Sequence, residues 1–417
     1  MIRRTGVAFV AVSIALVSFA LIGATSGVAV AKEKELHVGC IMPFSGPAAP
    51  WGEAIRPHME IFADLVNEDG GLKIGEDTYK VKMFFGDGQY APGPGATAAR
   101  NLIFRNNVSV ILGYYGNGMG AISPITNKEK VILISKSGSA IEDFDPKKDR
   151  YVVFGTPAQE LFVYQIVSLM KGNPQAKKLG WIGPDFTKAM FDEKNLVNVN
   201  KWLQDQGKDP VRMYYFPENT QNFTPYVSKM AEEGVDIVDC AGNVLEVALF
   251  AKQRWEAGHK WPVMEMGTLI NPEIFIQIAG FDACQGIVSD RPAPWELKDV
   301  KVPGKYLAMT QRLRDRFQEK FNKPLVYVGS FGYGLNHMAL YFEAVQQAGT
   351  VDPDAVVKTI RGGSFDTFLG TYKTSGIKKW GANISIGYPM ALGVIKGKQE
   401  EYLSENPLWD VDKWLEP

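Results

Sequence analysis

The feature that most constrains this chain is a rhythm. Short apolar runs of strand length alternate with longer stretches whose apolar residues recur at helical spacing. Residues 36–42 read as a buried strand, and Pro43-Phe44-Ser45-Gly46-Pro47 is turn chemistry. Across 51–67, Ile55, Met59, Phe62 and Val66 share one helical face, and Asp69-Gly70-Gly71 closes the helix. Strands at 79–85, 108–112 and 131–134 follow, with helices at 97–105 and 121–128 between them. The rhythm restarts with a helix at 161–170 and strands at 179–182, 211–216, 235–240, 263–266 and 286–289. Helices at 191–206, 223–233, 244–257 and 272–278 separate those strands. Helices at 306–321, 334–347 and 356–360 come next, then terminal strands at 383–395 and in the tail.

Such alternation implies parallel sheets covered by helices on both faces. The strands are too many for one ordinary sheet. The expected fold is therefore α/β, with two doubly wound Rossmann-like lobes. Lys and Arg total 45 against 46 Asp and Glu, so the basic excess of a nucleic-acid binder is missing. Three cysteines are too few for a disulfide framework or a four-thiolate zinc site, and four histidines leave little for metal chemistry. Cys40, Cys240 and Cys284 lie in apolar, strand-like contexts, which favours buried free thiols; one disulfide between two of them is the alternative.

Arg3 and Arg4 precede an uncharged apolar run over 7–24, and Ala29-Val30-Ala31 stands before Lys32-Glu33-Lys34-Glu35. This order describes a secretory signal peptide over 1–31, cleaved after Ala31, with a retained anchor as the competing reading. The implied location is periplasmic.

In open α/β sheets ligands bind beyond the carboxyl ends of the strands. After the first strand comes Trp51, near a helix start, either facing a cleft or stapling that helix. After the third comes Gly113-Tyr114-Tyr115-Gly116-Asn117-Gly118, and after the fourth Ser135-Lys136-Ser137-Gly138-Ser139. Each alone is an ordinary turn. Together they describe an anion cradle of hydroxyls, backbone N–H groups and helix ends. The glycine spacing is not that of a dinucleotide site, and no Walker A, G-x-S-x-G or H-E-x-x-H pattern occurs. His37, His58, His259 and His337 stand in unrelated contexts, so surface or packing roles are expected for all four.

The stretch 36–69 runs strand, Pro-x-Ser-Gly-Pro, Trp-Gly-Glu, long helix, Asn-Glu-Asp-Gly-Gly. That order resembles the start of type I periplasmic binding proteins, nearest to the leucine/isoleucine/valine-binding group of ABC importers. Asp87, Pro157, Lys252-Gln253-Arg254 with Ala257-Gly258, and Gly363-Ser364-Phe365-Asp366-Thr367-Phe368-Leu369-Gly370 extend the likeness over nearly the whole chain. The resemblance implies two lobes joined by three crossing segments, with the ligand between them. The expected division is 32–157 and 292–375 for the first lobe, and 158–291 and 376–417 for the second. It further implies that Asn117, Ser137, Gly138 and Ser139 hold a ligand carboxylate. Trp51, Tyr115 and Phe186 would wall it, with Trp295 a further candidate, and Asn243, Gly267 and Leu269 would line the second lobe.

Two departures matter. The family's common disulfide between the loops after the second and third strands has no counterpart, since Tyr90 and Gly116 stand there. Amino-acid binders also place a Tyr and an acidic residue where this chain has Ala241-Gly242-Asn243 and Gly267-Thr268-Leu269. Leucine opposite an ammonium would leave a buried charge unpaired. Only Glu246 or Glu265, in a shifted register, would restore a partner.

The function expected is that of a non-catalytic solute receptor. It would close on a small carboxylate lacking an α-ammonium and present it to an ABC permease in the inner membrane. It would need no cofactor, metal or nucleic acid, and would work as a monomer. The alternatives are a receptor for branched-chain or other hydrophobic amino acids, a ligand-sensing module for a membrane receptor, and a secreted α/β enzyme. For the enzyme no nucleophile–base pair stands at a strand end.

Overall fold

The computed structural model describes residues 34–46, 49–113, 118–136, 144–156, 158–189, 193–266, 272–292, 301–323, 325, 334–386, 390–406 and 412. The 1–31 segment lies outside them. Among the described residues no helix is long and apolar enough to cross a membrane.

The chain runs β1 (Lys34–Met42), α1 (Ala49–Glu68), β2 (Leu72–Ile74), β3 (Asp77–Asp87), α2 (Pro92–Asn106), β4 (Val110–Leu112), α3 (Met119–Lys128), β5 (Ile132–Lys136) and β6 (Val152–Thr156). It continues through α4 (Ala158–Gly172), β7 (Leu179–Pro184), α5 (Glu193–Asp205), β8 (Arg212–Phe216), α6 (Thr224–Glu232), β9 (Ile237–Ala241), α7 (Val244–Glu256), β10 (Val263–Met266), α8 (Pro272–Ala279), α9 (Phe281–Cys284) and β11 (Val288–Pro292). Then come α10 (Gly304–Phe321), α11 (Asn336–Ala348), α12 (Pro353–Ile360), β12 (Ser364–Thr367), β13 (Gly370–Ser375), α13 (Ile377–Trp380), β14 (Ser385–Ile386), β15 (Met390–Lys396) and β16 (Gln399–Asn406).

Two sheets result. One has nine strands in the order β12-β13-β14-β6-β5-β4-β1-β3-β2, the other seven in the order β16-β15-β11-β10-β9-β7-β8. The central strands of each are parallel; antiparallel strands close both edges of the nine-stranded sheet and one edge of the seven-stranded sheet, whose other edge, β8, is parallel. The chain passes from one sheet to the other after β6, after β11 and after β14. The return segment expected to end at 375 therefore runs further. Ser385 pairs with Phe154 in the nine-stranded sheet, so α13 and β14 precede the last crossing.

Strand periodicity builds the core. Val38, Cys40, Val110, Leu112, Ile132 and Ile134 face one way, onto Ile55, Met59 and Phe62 of α1 and Met338 and Phe342 of α11. Their neighbours Ile41, Ile111, Leu133, Val152 and Phe154 face the other way, onto Ala99 and Leu102 of α2 and Met119 and Ile122 of α3. The second sheet repeats this. Leu179, Trp181 and Ile237 cluster with α4 and α5, while Ile182, Val238, Cys240 and Val263 pack with Phe223, Phe250 and Phe275. Burying each such side chain contributes about 1.5–3 kcal/mol.

Candidate functional site

At the carboxyl end of the nine-stranded sheet, Asp87 ties two strand exits together. One carboxylate oxygen accepts from the Phe44 N–H at 2.8 Å and the Gln89 N–H at 3.0 Å; the other accepts from the Ser45 hydroxyl at 2.5 Å. Burial pushes this carboxyl up, but the Ser45 hydroxyl and the N–H donors outweigh it, and the net direction is down. The loop after β1 is thereby held where α1 can begin. Gly52 permits the close approach that follows, since a Cβ there would lie 2.1 Å from the Pro43 carbonyl oxygen.

The loop after β3 is tighter still. Ala91 N–H donates to the Gly88 carbonyl at 2.9 Å, and Gln89 and Tyr90 between them have φ of 48° and 56°. A four-residue turn with both central residues at positive φ is of type I′, where Gly, Asn or Asp fit without strain. Gln and Tyr there cost roughly 1–2 kcal/mol each. Tyr90 meets Trp51 edge-to-face, with centroids 5.5 Å apart at 61°. Both side chains are half-buried.

At the carboxyl end of the second sheet, β7 runs into a 3₁₀ turn, Asp185–Ala189, that carries Phe186. The buried Thr187 hydroxyl pins this turn to the Pro184 carbonyl at 2.5 Å. After β9, Asn243 caps α7 in a capping box. Its side-chain oxygen accepts from the Glu246 N–H at 3.0 Å, and Glu246 accepts from the Asn243 N–H at 3.0 Å. The other Glu246 oxygen accepts from the Asn219 N–H at 2.8 Å, and the residue is 3% exposed. Glu265 is fully buried in β10, in register with Cys240. Burial raises the Cys240 thiol most, followed by the charges of Asp239, Glu246 and Glu265. Both carboxylates that a shifted register would recruit are thus internal.

Of the residues read as ligand contacts, Trp51 stands in the first turn of α1, Asn243 at the N-cap of α7 just after β9, and the backbone of Phe186 in the turn after β7. Tyr115, Asn117, Ser137, Gly138, Ser139, Gly267, Leu269 and Trp295 lie outside the described residues. Asp87, Gln89 and Tyr90 are additional here. In the sequence Asp87 and Tyr90 entered only through the family resemblance, and the Asp87-Gly88 pair marked no more than a turn.

The remaining chemistry-bearing residues are structural. All three cysteines are free and buried, which removes the disulfide alternative. His58 stacks on Phe317 at 4.8 Å, and burial holds both His58 and His337 down to about 4. Gln253 accepts from the Phe223 N–H at 2.6 Å, and buried Arg254 donates to the Trp261 and Ala283 carbonyls, so both brace neighbouring loops. Among the described residues no His, Cys, Asp and Glu cluster could hold a metal ion.

A profile of the periplasmic binding proteins matches residues 35–398, spanning both sheets and all three crossings. The chain belongs to the periplasmic binding protein family. A curated member, Leu/Ile/Val-binding protein homolog 7 of Brucella abortus (strain 2308), is 25% identical over 232 residues, 54% of this chain and 57% of that one. The aligned region thus spans little more than half of that relative's length. Among solved structures, this periplasmic binding protein is similar to a leucine-binding protein from Thermotoga maritima MSB8 (TM-score 0.71, 17% identity, 89% of this chain and 98% of that one). It is also similar to an ABC transporter solute-binding protein from R. palustris in complex with benzoate (TM-score 0.70, 19% identity, 90% and 98%).

Proposed function

We propose that this chain is the extracytoplasmic solute receptor of an ABC importer, and that its ligand is a small carboxylate without an α-ammonium, apolar or aromatic in its body. The observation that carries the ligand class is the fate of the acidic residues. Glu246 spends both oxygens on backbone N–H groups, and Glu265 is enclosed in the second core beside Cys240. Glu246 is therefore not offered to an ammonium, and a buried ammonium without a partner is strongly disfavoured. On this view Trp51 is an apolar wall, and Asn117 with Ser137 to Ser139, taken from the sequence, are the carboxylate donors. The benzoate complex of the similar R. palustris protein supports the same class. In this reading the protein is a periplasmic monomer that needs no cofactor, binds between its two lobes, releases its ligand unchanged and delivers it to a membrane permease.

A second reading, a hydrophobic amino-acid receptor, is favoured by the leucine-binding Thermotoga neighbour. Calorimetry against benzoate, 4-hydroxybenzoate, leucine, isoleucine and valine separates the two. Tight binding of the aromatic acids with weak leucine binding supports the proposal; tight leucine binding overturns it.

A further inference from the structure

We propose that Tyr90 is a positioning residue that locks the Trp51 indole into a preformed aromatic wall at the carboxyl edge of the nine-stranded sheet. The inference rests on the reading of Trp51 as a ligand wall. It begins from a broken local rule. The turn Gly88 to Ala91 is closed by its own hydrogen bond, yet its two positive-φ positions are filled by Gln89 and Tyr90. Residues held in such backbone regions persist only where the surroundings over-determine them.

Those surroundings are on the page. Asp87 accepts from the Gln89 N–H and so fixes the first half of the turn. Gly88 N–H donates to the Met42 carbonyl at 2.9 Å, which anchors the turn to the end of β1. The same Asp87 accepts from Phe44 and Ser45, on the segment that leads to Trp51. One carboxylate therefore sets the backbone beneath both rings. The left-handed conformation at Tyr90 accompanies its edge-to-face contact with Trp51 at 5.5 Å. An edge-to-face pair fixes the tilt of each ring, because the positive edge of one meets the negative face of the other. Half-buried rings keep part of their surface for a further contact. A flat apolar acid meeting that wall would find the indole already oriented, and a preorganised surface loses less freedom on binding.

The test separates the ring of Tyr90 from its backbone. Tyr90→Gly keeps the left-handed conformation and removes the ring; Tyr90→Asn does the same should the glycine variant fold poorly. Tyr90→Phe keeps the ring. Each is labelled with 5-fluorotryptophan, and the Trp51 fluorine resonance is assigned by its loss in Trp51→Phe. The expected result is a shifted, broadened Trp51 resonance in Tyr90→Gly and Tyr90→Asn, and an unchanged one in Tyr90→Phe. Affinity for benzoate or 4-hydroxybenzoate should fall roughly three- to tenfold in the first two and hold in the third. A wild-type Trp51 resonance in Tyr90→Gly overturns the inference, as does a Tyr90→Phe variant that behaves like the glycine one. If wild type binds neither acid, the ligand reading fails on its own, and the fluorine resonance still decides whether Tyr90 positions Trp51.

Discussion

Single side chains at the strand ends do more bracing here than their surface positions suggest. Asp87 joins the exits of β1 and β3 through three hydrogen bonds. Asp87→Ala should lower unfolding stability by about 2 kcal/mol, read from the urea midpoint, because bonds to a charged group are worth about 1.5–3 kcal/mol. Its carboxyl is held below the ordinary range, so the folded state binds the proton less readily than the unfolded chain. That contribution is complete above roughly pH 4 and is lost as pH falls through the folded value. Asn243 poses a different question, because its side-chain oxygen already caps α7. Asn243→Ala should cost about 1 kcal/mol through the cap alone. Asn243→Asp keeps the cap and places a negative charge on the second-lobe side of the site proposed for an anionic ligand. A near-wild-type urea midpoint with a lower benzoate affinity in calorimetry would show that the side chain also meets the ligand. Asn243 was visible in the sequence as the residue after a strand. Its capping partner was not, since a capping box is recognised only once the helix start is placed. Tyr90 was less legible still. A backbone angle leaves no trace in composition, and a tyrosine is the last residue a type I′ turn would advertise.

Elements of clear period were legible, and those completed by a distant contact were not. The alternation of Val110, Ile111 and Leu112, buried on both faces, marks a central parallel strand without help. β6 was missed because Val152-Val153-Phe154 ends in Gly-Thr-Pro, which reads as a turn. The glycine is there for another reason: a Cβ on Gly155 would lie 2.3 Å from the His337 ring. Gly155→Ala should therefore destabilise by roughly 1–3 kcal/mol in urea unfolding. The same change should cost distinctly less in a His337→Ala background, because residues in contact are not additive. β2 was missed for its length. It pairs only with Asp77 to Tyr79, and beyond it Asn67 takes over the edge. The Asn67 side chain accepts from the Val81 N–H at 2.7 Å and donates to the Val81 carbonyl at 2.8 Å, as a paired strand would. Asn67→Ala removes both bonds at once. A loss of about 1–2 kcal/mol in urea unfolding is expected, together with faster amide exchange at Val81.

At the scale of the molecule, two neutral imidazoles sit at junctions that hold separate parts together. His58 lies between α1 and α10, stacked on Phe317, and His337 lies between α11 and β6, next to the first crossing. Burial holds each imidazole down to about 4, with only main-chain hydrogen bonds acting in the opposite direction. The ion pairs that join α10 to the end of α1, Arg312 with Asp69 and Arg316 with Glu68, lie on the exposed rim. The sign follows directly. Both folded values lie below the unfolded value of about 6.5, so the unfolded chain binds more protons between them. Stability is complete above about pH 6.5 and falls as pH drops toward 4. At about 1.4 kcal/mol per unit of displacement, the loss is on the order of several kcal/mol for the two rings. Carboxylates held low, such as Asp87, act only below that window. Glu218 and Glu246, raised by burial, oppose the trend by taking up protons in the folded state. Urea midpoints from pH 7.5 to 4.5 should therefore decline in wild type and decline less steeply in His58→Gln, whose side chain does not titrate. Parallel slopes in the two proteins would show that the His58 ring is protonated without cost, and that the α1–α10 junction is open to water.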